Sequence, residues 1–385
     1  MKVSISLFGK FHAFYMAKAL YKANHLNKII TSYPKFLVTP KIPNRNINSL
    51  FVYELFSRFL RFLQKLKIIN LDINTFISNL YSKKAAKKIG FDNDIVVSWS
   101  SKSLEIFEKL DITKTIKILE RGSTHALFQR EILKEEYKIL GLTEPKFLNN
   151  ADLIAKQLKE YDLADYISVP SQFVKKSFVD NGVNKEKIIV INYGIDENQF
   201  PKIEKIKKRD KFVVLYVGST EVRKGIHYLL DAIKLLDEEN IELHIVGEIS
   251  EFFKSILPTN KKIKLFGHIK QNDLYKYYNQ ADCLVQPAIE EGQSIVQIQS
   301  LFCGTPIIFT TNTGGIDFFN NENIKGDEVD IRSPKQISEK IKFYISNPEI
   351  LNKNSKEISI IANKKLTIES YGERLIKKYN EVLKK

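Results

Sequence analysis

Short apolar runs closed by glycine, proline or charge recur along the chain, and segments of helical period lie between them. Val3 to Phe8 reads as a strand ending at Gly9, Ala13 to Ala23 as a helix with Ala17, Leu20 and Tyr21 on one face, and Lys28 to Thr31 as a second strand. That β-α-β start predicts a doubly wound domain. Asp94 to Trp99, Ile116 to Leu119, Tyr166 to Val169 and Lys187 to Asn192 continue the strand series, and Ser171 caps a helix to Asn181 that Gly182 closes. Pro201 to Asp210 (PKIEKIKKRD) is charged and aperiodic, which marks a domain boundary. The pattern then restarts with strand Phe212 to Val217, helix Ile226 to Leu236, and strands Ile241 to Val246 and Ile263 to Phe266. Strand Cys283 to Gln286, helix Ser294 to Phe302 and strand Ile307 to Phe309 follow; a weak strand near Val329 to Ile331 and a closing helix, Ile368 to Leu383, come last. The fold class is α/β, with one Rossmann-like parallel-sheet domain in residues 1–200 and a second in 201–367.

Phe51 to Ile69 needs separate reading. Glu54, Arg58, Arg61 and Lys65 form a polar stripe on a helix otherwise filled by Phe51, Leu55, Phe56, Phe59, Phe62, Leu63 and Leu66. Two readings stay open: a basic amphipathic helix lying in an anionic membrane interface, or a helix docked on the first domain with its charges in water. The width of the apolar arc favours docking.

At 385 residues the chain is long for a single core, so two domains are expected on size as well. Its two cysteines, Cys283 and Cys303, sit in apolar surroundings with no CxxC pair or histidine cluster, which points to a reduced, cytoplasmic setting and no zinc site. The N-terminal stretch is too broken by polar residues for a signal peptide, and no run of about 18 apolar residues predicts a membrane span. Charge is uneven: residues 1–91 hold sixteen Lys or Arg against Glu54 and Asp72, a net +14 where the whole chain carries +15. That asymmetry predicts an anionic partner, such as a membrane surface or a phosphorylated acceptor. No nucleic-acid recognition motif accompanies it.

Chemistry concentrates at strand ends. After Val217 comes Gly218-Ser219-Thr220-Glu221-Val222-Arg223-Lys224-Gly225, a turn before a helix that suits a diphosphate, because its amides give directional donors and its lysine gives charge. After Gln286 comes Pro287, then Glu290, Glu291 and Gly292, and a helix start at which the amides of Gln293, Ser294 and Ile295 would point at a phosphate, with Ser294 as cap. Ile116 to Leu119 delivers Glu120-Arg121-Gly122-Ser123-Thr124-His125 at the edge where α/β ligands bind. Asp92-Asn93-Asp94 is formally a metal-chelating triplet, but it precedes its strand, at the opposite edge.

The segment 281–317 resembles the donor-binding signature of retaining family-4 glycosyltransferases of the GT-B fold (glycosyltransferase group 1 type), in which an acidic residue and glycine open the helix and a second acid follows eight positions on. Glu291 and Gly292 match; the second acid is replaced by Gln299. FGKFHAF with ITSYPK, ADYISVPS with KIIVINYGID, and the closing SYGERLIKKYNEVL extend the resemblance over nearly the whole chain. It implies two Rossmann-like domains across a cleft, with helix 368–385 returning to the first domain. The implied reaction moves a sugar, with retention and without a required metal or other cofactor, from a UDP- or GDP-sugar to a glycan or lipid-linked acceptor, in surface polysaccharide synthesis. The basic first domain points to peripheral placement on the inner face of the plasma membrane.

Carried over residue by residue, the resemblance gives Glu291 and His125 to the transferred sugar, and Gly9, Ser219, Arg223, Lys224, Gln293, Ser294 and Ile295 to the diphosphate. His268, Ile269 and Gln299 go to the nucleoside, and Lys10, His12 and Arg121 to the acceptor side. The single Gly9 where a glycine pair is usual, Ser219 where an arginine is usual, and Gln299 are departures. They keep a weakly active or non-catalytic nucleotide-sugar-binding protein as the alternative.

Overall fold

The computed structural model describes residues 1–10, 12–38, 41–203, 210–236, 240–319 and 326–384. Two all-parallel sheets carry the chain. The first holds β1 (Val3–Leu7), β2 (Leu26–Thr31), β3 (Ile47–Ser49), β4 (Ile95–Trp99), β5 (Ile116–Glu120), β6 (Tyr166–Val169) and β7 (Ile188–Val190), in the order β3-β2-β1-β4-β5-β6-β7. The second holds β8 (Phe212–Val217), β9 (Ile241–Val246), β10 (Ile263–Gly267), β11 (Cys283–Gln286), β12 (Ile307–Thr310) and β13 (Asp327–Val329), in the order β10-β9-β8-β11-β12-β13. Each order reverses once, between β1 and β4 and between β8 and β11, and such switch points are where doubly wound sheets hold ligands.

Helices on both faces bury the central strands completely. In β1 even Ser4 and Ser6 are buried, so its polar alternation does not mark a solvent face. Their hydroxyls are satisfied from neighbouring elements: Ser4 Oγ donates to Asn93 Oδ1 (2.5 Å), and the Tyr81 hydroxyl lies 3.4 Å from Ser6 Oγ. The Asp92–Asp94 triplet is tied down at the opposite edge, where Lys2 Nζ donates to Asp92 (2.8 Å) and the Lys2 amide to Asp94 (2.6 Å).

The chain crosses between domains at two adjacent places. Ile195 pairs with Thr367: its amide donates to Leu366 O (2.9 Å) and its carbonyl accepts from the Ile368 amide (3.0 Å). The expected boundary at 201–210 lies mostly outside the described residues. Helix Ile368–Leu383 then runs back across the first domain, burying Tyr371, Leu375, Tyr379 and Val382. It approaches helix Ala13–Lys22 so closely at Gly372 that a Cβ there would stand 2.8 Å from the Ala19 Cβ.

Helix Phe51–Lys65 docks on the first domain, but not by its broad apolar arc. Only Ser57 and Leu60 are buried, and the broad apolar arc faces solvent. The helix touches the body through a small cluster of Leu60, Ile73 and Ile77, too narrow to cover that arc. Among the described residues no helix is long and apolar enough to cross a membrane.

Gly372→Leu is expected to lower stability. Overpacking against Ala19 costs about 1–3 kcal/mol, more than the roughly 0.8 kcal/mol that replacing a helical glycine returns. A Tm equal to or above that of the parent in thermal unfolding would refute the close-packed helix pair.

Candidate active site

The ends of β8, β9 and β10 lie in register, with Val217 opposite Val246 and Val246 opposite Gly267. The turn at Gly218-Ser219 and the turn at Gly267-His268-Ile269 therefore share one rim, with His268 exposed and Ile269 half-buried. Ser219 offers its carbonyl inward, to the Tyr216 hydroxyl (2.6 Å). The Lys224 turn closes on Gly225, whose φ of +64° and position 1.9 Å (from a notional Cβ) to Pro287 O admit only glycine. This presses the turn onto the loop after β11, where the Ile289 amide donates to Arg223 O (3.0 Å).

On that loop the adjacent carboxylates part company. Glu291 meets the Lys224 ammonium in a short ion pair and Arg223 at 3.2 Å. Burial pushes the Glu291 carboxyl up, but the Lys224 and Arg223 charges and hydrogen bonds outweigh it and hold it at about 2. Glu290 is fully buried and reaches across to the first domain. It accepts from the Thr124 amide (3.0 Å) and hydroxyl (2.8 Å) and from Gln129 Nε2 (2.8 Å).

Helix Ile295–Phe302 begins where expected. Ser294 occupies its N-cap position, but its side chain makes no capping bond, contrary to expectation. Among the described residues no acceptor is recorded for the amides of Gln293, Ser294 and Ile295, the open donors of a helix start, and Glu291 just ahead of them is paired with Lys224. Gln293 is anchored by its side chain, whose Oε1 accepts from the Tyr193 amide (2.7 Å) of the first domain, while Nε2 is buried without a partner. At Gly292 the two domains meet backbone to backbone: a Cβ there would stand 1.9 Å from Gly122 O, and Ser171 Oγ donates to Gly292 O (2.6 Å).

Several first-domain residues expected at the site are engaged within the protein. His125 caps helix Ala126–Ile139, with Nδ1 accepting from the Leu127 amide (3.3 Å) and the ring packed on Tyr161 and Phe178 at 2 % exposure. Burial, then the Arg121 charge, pushes it down to about 4, so it is neutral at pH 7. Arg121 is likewise spent locally, with Nε donating to Thr124 O (3.0 Å). These bonds stiffen the turn that offers Thr124 to Glu290. The Gly9 amide, expected at the diphosphate, donates to Ser32 Oγ (2.9 Å). His12 is buried, with Nε2 3.0 Å from Glu120 Oε1 and its ring 4.2 Å from that of Tyr193; Lys10 beside it is exposed. Gln299 Oε1 accepts from the buried Tyr278 hydroxyl (2.7 Å), which leaves one lone pair and the amide nitrogen for a ribose.

Glu290, Thr124, Gln129 and Tyr193 were not singled out from the sequence. The one signal for Glu290 was its doublet with Glu291, because two neighbouring carboxylates on one loop point to opposite walls. Among the described residues no group of three or more His, Cys, Asp or Glu side chains is arranged to hold a metal.

Two facing parallel-sheet domains with a phosphate-suited turn set against a helix start are the architecture of GT-B glycosyltransferases, and the solved structures agree. Sucrose-phosphate synthase from Thermosynechococcus elongatus superposes with a TM-score of 0.75 at 15 % identity, covering 99 % of both chains. An Anabaena protein in complex with UDP-glucose superposes at 0.66 and 12 % identity, over 99 % of this chain and 100 % of that one. Residues 197–362 match the family model described as glycosyl transferases group 1. A capsular polysaccharide biosynthesis glycosyltransferase of Staphylococcus aureus is 27 % identical over 216 residues, 51 % of this chain and 56 % of that one. The chain spans about half the length of the first curated relatives it matches.

Two outcomes follow from the site. Glu291's depressed pKa means the unfolded chain binds the extra proton, so its contribution is complete above its ordinary value of 4.5 and is lost as pH falls through about 2. The gap corresponds to roughly 3 kcal/mol at most. Lys224→Met should lower stability at pH 7 and make the acid-side loss shallower; an unchanged Tm profile between pH 7 and pH 3 would remove the ion pair from the account. Gln299→Leu strands the Tyr278 hydroxyl and should cost about 1–3 kcal/mol in denaturant unfolding.

Proposed function

We propose that the chain is a retaining glycosyltransferase that moves a sugar from a nucleoside-diphosphate sugar to a hydroxyl of a glycan or lipid-linked acceptor, without a required metal. The carrying observation is the Lys224 turn, ion-paired to Glu291 two residues ahead of the open amides that begin at Gln293. A diphosphate between them would take Lys224 and Arg223 from Glu291 and gain directional amide donors, so negative charge developing on the leaving group is met by fixed dipoles. Freed of its cations, Glu291 accepts a hydrogen bond from a sugar hydroxyl and faces the developing positive charge at the anomeric carbon. The acceptor oxygen bonds to that carbon as the bond to the β-phosphate oxygen breaks on the same face, and the acceptor's proton leaves with the diphosphate. The nucleoside would lie along the Gly218 and His268 rim. The UDP-glucose held by the Anabaena neighbour supports a nucleotide-sugar of that kind as donor, and the capsular relative supports surface polysaccharide as the setting.

A binding-only protein is the second reading, favoured by Gln299, whose oxygen is already engaged. Glu291→Gln separates the two. In a transferase, kcat should fall at least 100-fold, roughly 2.7 kcal/mol, while UDP or GDP binding holds or tightens because Lys224 and Arg223 lose a competitor. Full turnover in the variant would sink the assignment. Nucleotide binding without transfer by the parent, over a panel of donors and acceptors, would leave the binding reading.

A further inference from the structure

Helix Phe51–Lys65 is the most exposed apolar element of the molecule. Phe51, Val52, Leu55, Phe59, Phe62 and Leu66 share an arc of roughly 100° at 3.6 residues per turn, and Phe59 and Phe62 are 55 % and 57 % exposed. Arg58, Arg61 and Lys65 flank that arc on one side, while Ser57 and Leu60 face the protein. A face this apolar is costly in water unless something covers it. A second copy is disfavoured: an isologous contact would bring the two basic flanks together, within a segment of net +14 over residues 1–91. An anionic lipid surface matches both the apolar arc and the charge beside it.

We propose that this helix is an interfacial anchor, laying its aromatic face into the headgroup–acyl boundary of an anionic phospholipid bilayer. It adjoins the first-domain side of the cleft. Glu54 Oε2 accepts from Ser32 Oγ (3.3 Å), which in turn accepts from the Gly9 amide (2.9 Å) at the end of β1. Docked this way, the protein holds the acceptor rim against the bilayer, and the acceptor is the lipid-linked one. The docking stands on the helix alone, whereas the delivery of an acceptor rests on the transferase reading.

The test is co-sedimentation of the full chain with phosphatidylcholine vesicles, with and without phosphatidylglycerol, alongside thermal shifts with UDP- and GDP-sugars. The parent should bind the phosphatidylglycerol vesicles at least about tenfold more strongly, and less so as salt rises. Phe59→Asp with Phe62→Asp should lose about tenfold or more on both vesicle types with Tm unchanged, since both side chains are already exposed. Arg61→Glu with Lys65→Glu should lose mainly the preference for phosphatidylglycerol, about fivefold or more per residue. A parent that ignores both vesicles, or an aspartate pair that binds like the parent, overturns the proposal. A parent dimer that the aspartate pair turns into a monomer assigns the face to a second copy and overturns it equally. Loss of vesicle binding with donor shifts intact removes the anchor only; loss of donor shifts with vesicle binding intact removes the transferase reading only.

Discussion

Two parallel-sheet domains can share a site only if something fixes their separation, and here it is a contact between two backbones that carry no side chains. Gly292 of the second domain lies against Gly122 of the first so closely that a Cβ would overlap the Gly122 carbonyl. On either side of that point Glu290 binds Thr124 and Gln129, and Ser171 and the Tyr193 amide bind Gly292 and Gln293. The loop that carries Glu291 is thus held at both flanks by the opposite domain. Farther along the interface Glu136 of the first domain accepts from Arg332 Nε (2.7 Å) and sits 2.9 Å from His227 Nε2, closing the two domains a second time. Glu136 has no exposure, and buried charge of this kind survives only when paired, so the closed arrangement depends on these partners remaining in place.

That constraint explains the division of labour between Glu290 and Glu291. A single buried carboxylate could not both bridge the domains and stay free to exchange its partners. Glu290 accepts from neutral first-domain donors, the Thr124 amide and hydroxyl and Gln129, with Arg223 farther off at 3.6 Å. Glu291 is held by Lys224 and, at 3.2 Å, by Arg223. On the proposed function a phosphate would attract those cations, so the first carboxylate would keep its partners and the second would change them.

Most strands, the Lys224 turn and the helix at Ser294 were legible because each rests on local pattern: an apolar run, a glycine turn, a helical period. What was not legible is a side chain's partner that lies far away in sequence. His125 at a strand end reads as chemistry, yet the core formed by Tyr161 and Phe178 claims its ring. Gly9 reads as a phosphate turn, but Ser32 from the next loop takes its amide. Gln299 gives no hint of Tyr278, since the bond joins two helices of one domain through a buried hydroxyl. Helix Phe51–Lys65 is a different case: its period was right, but no periodicity states which face the rest of the chain leaves uncovered.

The remaining asymmetry of the molecule follows from charge. With +14 in residues 1–91 and about +1 in everything after, the second domain is nearly neutral and its cations are matched locally, as Arg223 and Lys224 are by Glu290 and Glu291. On the proposed function, an anionic donor would be selected by geometry at one turn, through two cations and a few amides, and not by a broad field. The first domain works the other way, since most of its early lysines and arginines have no acid nearby in sequence and sum to a surface field. Long-range attraction on one domain and short-range capture on the other would suit the two proposed ligands, which differ in size: a small nucleotide in the cleft and an extended anionic surface outside it.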